Sequence, residues 1–190
     1  ECKGSLRPVR REPPTGIRAE PPSGPEATQR HLARLGSEVL DAGAGDADRL
    51  DEFRCSTGAP FEDDVEAWIR TDAIGWANDL PRARFQRRTL ALIEDGEATA
   101  AVVAWQDIVR VDLEGIWLEV LAVALDHQHG GQGQAAYQLT IDHLRTIERD
   151  GDQLAGLVHV DNHRSKRLLT AYGWSSVATW DDHELWVGSL

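Results

Sequence analysis

The chain has 190 residues, 41 % of them hydrophobic and 27 % charged, which fits one soluble domain with a real core. No apolar run reaches the roughly 20 residues of a membrane helix, and two cysteines, Cys2 and Cys55, make neither a disulfide framework nor a metal site, so a reduced cytoplasmic setting is the simplest reading. Net charge is −12; seven Lys/Arg against four Glu in residues 1–36 leave −15 on residues 37–190, which argues against nucleic acid as a partner and favours cationic ones.

Residues 1–26 hold most of the eight prolines and no apolar periodicity, so residues 1–36 are expected to be a disordered or poorly ordered extension, with a short helix possible only at 25–36. The folded domain is expected over 37–190. Ser37–Ala42 reads as a first strand, and Asp46 as the N-cap of a helix through Leu50 and Phe53. One helix is predicted from Phe61 to Trp76, because Val65, Trp68, Ile69 and Ile74 recur at helical spacing behind an acidic first turn. Thr89–Ile93 and Thr99–Trp105 read as strands joined by an Asp95-Gly96 turn, and Ile116–Ala124 as a third. A glycine-rich loop, His127–Gln134, follows. Tyr137, Ile141, Leu144 and Ile147 then mark an amphipathic helix. Leu154–Val160 is a strand. Ser165, Leu168, Leu169 and Tyr172 form a last helix stopped by Gly173, and a hairpin around Asp181-Asp182 closes the chain. The order is β-α-α-β-β-β-α-β-α-β-β, an α/β chain with an antiparallel meander before the loop.

The sharpest feature is Gln128-His129-Gly130-Gly131-Gln132-Gly133-Gln134, which leaves a strand and opens a helix. Glycines let the backbone approach an anion, and the free N–H groups of a helix start face it, so the loop suits a pyrophosphate. A ligand-free turn would read the same locally. Gly131-x-Gly133-x-x-Ala136 also fits a dinucleotide fingerprint, but the strands before it are joined by hairpins and the next acidic strand end, Asp161, lies too far along. No Gly-Lys-Ser/Thr follows, which excludes a P-loop.

Leu121-Ala122-Val123, the acidic turn at Leu125-Asp126, and Gln128-x-x-Gly131-x-Gly133 together resemble motif A of the GNAT N-acetyltransferases. Asn162, Ser165 and Gly173-Trp174 resemble motif B at matching spacing. The resemblance covers about residues 37–190 and implies the GNAT fold: a mixed, mostly antiparallel central sheet flanked by helices, with splayed central strands. It implies acetyl-CoA as co-substrate, with Leu121, Ala122 and Val123 facing pantetheine, Leu125 at the turn, Gln128, His129, Gly130, Gly131, Gln132, Gly133 and Gln134 holding pyrophosphate, and Asn162 on the pantetheine arm. No metal is implied.

Acetylating an amine requires a base for its proton. Glu119 sits inside an apolar strand, where a carboxylate is expensive unless useful. By alternation it shares a face with Trp117, Leu121 and Val123. It is the first candidate base and His159 the second; a surface ion pair is the alternative use of Glu119. The motif B tyrosine that protonates the departing thiolate in this family falls on Leu169 here. Tyr172, three residues on, is the candidate acid, with core packing beside Trp174 as its other reading. Cys55 reads as a packed residue. His127 and His129 flank the loop as phosphate contacts or as surface residues.

Direct acetyl transfer to a small-molecule or peptide amine is therefore expected, and the acidic residues Asp46, Asp48, Asp51, Glu52, Glu62, Asp63, Asp64 and Glu66 point to a cationic acceptor. Two other readings remain. Phe53-x-Cys55-x-x-Gly58 followed by Val65–Ile69 resembles the start of GNAT toxins that acetylate aminoacyl-tRNA, against which stand the charge of −15 and Leu169. The third is an acyl-CoA-binding module without turnover. The Trp-containing final hairpin offers a surface for a homodimer.

Overall fold

Leu90 and Leu92 project to one side of their strand and Ala91 and Ile93 to the other, and all four are buried. A strand hidden on both sides needs a covering layer on each face. The computed structural model describes residues 39–42, 44–78, 88–110, 113–147 and 153–190. They form β1 (Val39–Asp41), α1 (Ala47–Asp51), α2 (Pro60–Thr71), α3 (Ala73–Asn78), β2 (Arg88–Asp95), β3 (Ala98–Arg110), β4 (Leu113–Val123), α4 (Gln132–Ile147), β5 (Gln153–His159), α5 (His163–Ala171), β6 (Ser175–Trp180) and β7 (His183–Ser189). The expected extension over 1–36, with its helix at 25–36, lies outside the described residues.

Among the described residues, seven strands lie in the order β1-β2-β3-β4-β5-β7-β6, and every neighbouring pair is antiparallel except β4–β5. The mixed, mostly antiparallel sheet expected from the sequence is what forms. One face packs against α4 and α5, with Ile93, Val103, Trp105, Ile116 and Leu154 meeting Tyr137, Ile141, Leu144 and Leu169. The other packs against α1–α3, where Leu90, Leu92, Val102 and Ala104 meet Leu50, Phe53 and Ile69. Leu50 and Ile69 are each only 1 % exposed; burying such a side chain contributes about 1.5–3 kcal/mol.

Three local expectations are corrected. The helix over 61–76 is two helices meeting at Asp72 (φ −115°, ψ −25°). Thr71 Oγ1 bonds back to the Ala67 carbonyl and also to the Asp72 carboxylate, a pairing that competes with the helical ladder and bends it. Asp46 precedes α1 but caps it with no side-chain hydrogen bond; its carboxylate meets Arg49 at 3.3 Å, and Arg49 reaches on to Glu94 at 2.8 Å. The helix also stops at Asp51, leaving Phe53 buried in the loop beyond.

Two irregularities in β4 position the site. β4 and β5 pair only at Gly115–Gln153, Ile116–Leu154 and Trp117–Ala155, then continue to Val123 and His159 unpaired, so the sheet opens. Gly115 permits the close end of this pairing, since a Cβ there would overlap the Gln153 carbonyl. On the other edge of β4, Ala104 pairs with Val120 and Trp105 with Leu118, which leaves Glu119 as the extra residue of a β-bulge.

Candidate active site

The bulge resets the alternation of β4. Ile116, Leu118, Leu121 and Val123 belong to the core under α4 and α5, while Val120 and Ala122 belong to the core under α1–α3. Glu119 therefore does not share a face with Leu121 and Val123, as strict alternation predicts. It keeps company with Trp117, whose indole N–H bonds to it, and with the charge of Arg88. Solvent reaches Glu119 through the opening, yet the surrounding walls desolvate its carboxyl. That desolvation raises its pKa above the ordinary glutamate value and outweighs the opposing pull of Trp117 and Arg88.

The glycine-rich loop closes one end of the opening. β4 gives way to a 3₁₀ turn at Leu125–His127, and His129, Gly130 and Gly131 all take left-handed backbone (φ 84°, 67° and 92°) before α4 starts at Gln132. At His129 this conformation carries strain that glycine would avoid. The Gly131 carbonyl accepts the Ala135 N–H. The N–H groups of Gln132, Gly133 and Gln134 then have no partner within the helix, as at any helix start. Gln128 acts as the loop's tether: its amide nitrogen donates to the carbonyls of Cys55 (2.5 Å) and Val123 (3.2 Å), and its amide oxygen accepts from Arg164 (3.2 Å).

Between β4, β5, the loop and α5 lies a cavity of about 890 Å³, within the range of small-molecule sites. It brings together Glu119, Leu121, Ala122, Val123, Gln128, His129, Gly131, Gly133, Gln134 and Asn162, all singled out from the sequence. Gly130 and Gln132 belong to the loop but not to the cavity lining, and Leu125, 43 % exposed, lies outside it. Tyr172 is not in the lining either. It caps the C-terminus of α5 and packs its ring on Tyr137 with centroids 4.4 Å apart. Leu169, at the motif B tyrosine position, does line the cavity.

Sequence reasoning missed Tyr137, Phe61, Arg164 and Arg167. The arginines stand three residues apart on α5, and neither lies at three- or four-residue spacing from Asn162 or Ser165, so those two residues do not point to them. Asn162 itself N-caps α5, its side-chain oxygen accepting the Ser165 N–H at 3.0 Å, which leaves its amide nitrogen for a ligand.

His159 is a poor base as placed. Its Nδ1 accepts the Asp161 N–H at 3.1 Å, its Nε2 faces Asp182 at 3.7 Å, and its ring stacks on Phe61 at 4.7 Å. With Nδ1 engaged as acceptor, the neutral ring carries its proton on Nε2 and has no lone pair for a substrate. Cys55 is buried, and burial first, then the charges of Glu66 and Glu62, pushes its thiol up to about 12, a packed residue rather than a nucleophile.

The acidic first half of α2 serves the loop before it. Glu66 accepts the N–H groups of Cys55 (2.7 Å) and Ser56 (2.9 Å), Glu62 accepts from the Thr57 N–H and hydroxyl, and Asp63 from the Ser56 hydroxyl. Asp51 meets Arg70 at 3.5 Å. Of the eight acidic residues read as a cationic acceptor's wall, only Glu62 lines the cavity. Burial alone would raise the Glu66 pKa, but the Ser56 and Cys55 N–H groups, with Arg54 and Arg70, hold it below the ordinary value. A lowered folded pKa gives stability that is present above the unfolded pKa and is lost as pH falls through the folded one. Glu66→Ala should therefore cost about 1–3 kcal/mol near pH 7. The gap to wild type should shrink as pH falls below the ordinary glutamate range, as denaturant melts at neutral and acid pH would show.

No protein-family model and no curated protein sequence matches the chain. Solved structures do match its shape. The PaiA N-acetyltransferase of Thermoplasma acidophilum, solved in complex with coenzyme A, superposes with a TM-score of 0.58 at 14 % identity, covering 80 % of this chain and 98 % of its own. A Desulfovibrio desulfuricans protein described as an acetyltransferase of the GNAT family gives 0.56 at 18 % identity, over 80 % and 96 %. The chain has the GNAT fold. Mycobacterium smegmatis RimJ in complex with CoA-disulfide shares it too, with a TM-score of 0.56 at 15 % identity over 82 % of this chain and 84 % of that one. Within this GNAT fold, no three His, Cys, Asp or Glu side chains among the described residues converge as metal ligands would, and no helix there is long and apolar enough to cross a membrane.

Proposed function

We propose that this GNAT-fold chain is an acetyl-CoA-dependent N-acetyltransferase that passes the acetyl group directly to the amine of a cationic acceptor. One observation carries the reading: the unpaired stretch of β4 ends in a glycine loop at a helix N-terminus and begins at a bulged, solvent-reached carboxylate. An unpaired strand edge suits the amide-bearing pantetheine arm, which can add to it as a strand would. The N–H groups of Gln132–Gln134 suit the diphosphate, and Arg164, held at the loop by Gln128, adds positive charge there.

Acetyl-CoA supplies an activated acyl group, and the chain's residues handle the protons. Glu119, on the α1–α3 side of β4, takes the proton from the incoming ammonium, directly or through water. A backbone N–H of β4 near Leu121 polarises the thioester carbonyl. No acyl-enzyme is required.

The acceptor argument now rests on the cavity's own carboxylates, Glu62 and Glu119, rather than on the whole acidic surface. CoA release should be tested across polyamines, aminoglycosides, amino acids and lysine-containing peptides. Cationic acceptors are expected to turn over best, with acceptor KM rising as salt shortens the Debye length to about 8 Å and below. A neutral or anionic preferred acceptor, or a KM indifferent to salt, would remove the charge argument.

A further inference from the structure

The position that carries the proton donor in GNAT motif B is a leucine here, Leu169, yet a tyrosine from a different helix lines the same cavity. Tyr137 lies four residues after Gly133 on α4, so both occupy one face of the helix, with Tyr137 about 6 Å further from the loop. Among the described residues, Tyr137 and Ser165 are the hydroxyl-bearing side chains that line the cavity, and Tyr137 does so together with Leu169 and Trp174.

Its surroundings specify which way its proton goes. The Trp174 indole N–H donates to the Tyr137 oxygen at 2.7 Å, so that oxygen acts as an acceptor toward Trp174 and keeps its own proton for another group. Among the described residues no acceptor takes that proton. The ring is fixed on its other side by Tyr172. Burial raises the phenol's pKa above its ordinary value, which keeps it protonated.

Resting on the acetyltransferase reading above, we propose that Tyr137 donates its phenol proton to the departing CoA sulfur, replacing from α4 the tyrosine that α5 lacks. Glu119 first passes the ammonium's proton to solvent, which frees the nitrogen lone pair; as the carbon–nitrogen bond forms, Glu119 removes a second proton from nitrogen. As the carbon–sulfur bond breaks, its electron pair stays on sulfur and takes the Tyr137 proton, giving CoA thiol. Solvent returns a proton to the phenolate, and the proton on Glu119 leaves to solvent. Nothing is oxidised or reduced.

Tyr137→Phe should lower kcat about 100-fold while acetyl-CoA Kd, by calorimetry, stays within about three-fold. The same change strands the buried Trp174 N–H and should lower Tm, so a purely structural role must be separated. Tyr137→Phe/Trp174→Phe replaces both partners by apolar rings and should recover much of that Tm. If Tyr137 is the donor, kcat stays about as low in the double variant as in the single one. Recovery of kcat together with Tm would overturn the proposal, as would near-normal kcat in Tyr137→Phe or a large loss confined to Tyr172→Phe. Wild-type protein that binds acetyl-CoA but transfers to no amine would instead overturn the transferase reading itself, and Tyr137's role with it.

Discussion

Gly133→Asp should abolish acetyl-CoA binding and leave the fold intact. Gly133 lies in the first turn of α4 with an ordinary helical φ, and a Cβ there would meet only Val123 Cγ2, at 3.9 Å. A carboxylate in the first turn is favoured by the helix dipole, so the variant's own stability should be equal to or slightly above that of wild type. Facing a diphosphate, the same carboxylate puts negative charge against negative charge in the place where backbone N–H groups should receive phosphate oxygens. At about 100 times Kd, acetyl-CoA should stabilise wild type by about 2.7 kcal/mol, or about 5–10 °C in Tm for a domain of this size. Gly133→Asp should show no shift, and Gly133→Ala most of it. Gly131→Asp is a weaker test, because Gly131 has φ 92° and any side chain there is strained with or without ligand. A full shift in Gly133→Asp would mean that the diphosphate lies elsewhere.

Glu119→Gln should cost about 100-fold or more in kcat while acetyl-CoA affinity stays within a few-fold. The substitution keeps the shape of the bulge and the acceptor for the Trp117 indole, and removes only the basic oxygen. Because burial raises the Glu119 pKa, the ionised base exists only above that raised value. Wild-type kcat/KM should therefore fall on the acid side at a pH above the ordinary glutamate range, and that limb should be missing from the residual activity of Glu119→Gln. If Glu119→Gln keeps near-normal turnover while His159→Ala loses it, the assignments are reversed and the Asp161 N–H must release His159 during turnover.

The loop and the helices beside it were legible because their signals are local. Glycines at 130, 131 and 133, a strand before them and a helix of period 3.6 after them need only neighbouring residues to be read. The face of Glu119 was not legible. It depends on Trp105 pairing with Leu118 rather than with Glu119, and a bulge is a property of two strands, not of one. The break at Asp72 was hidden for a related reason: the apolar spacing runs straight through it, and only the hydrogen bonds of Thr71 reveal it. The acidic residues of α2 suggest a cationic acceptor from sequence because their actual partners, backbone N–H groups of residues 55–57, are invisible to composition. The period of α4 places Tyr137 in the core, and it is buried; that it also lines the cavity and accepts from Trp174, 37 residues away, depends on contacts distant in sequence.

Hydrogen–deuterium exchange with and without saturating acetyl-CoA tests the assignment of the cleft most directly. Pantetheine lying along β4 and a diphosphate on the α4 N-terminus would engage backbone amides that the fold itself leaves without partners. Exchange should slow in the segments 119–123 and 131–134, while the β6–β7 hairpin stays unchanged. Unaltered exchange in both segments under conditions where calorimetry shows binding, or protection confined to α1–α3, would contradict acetyl-CoA binding between β4 and β5.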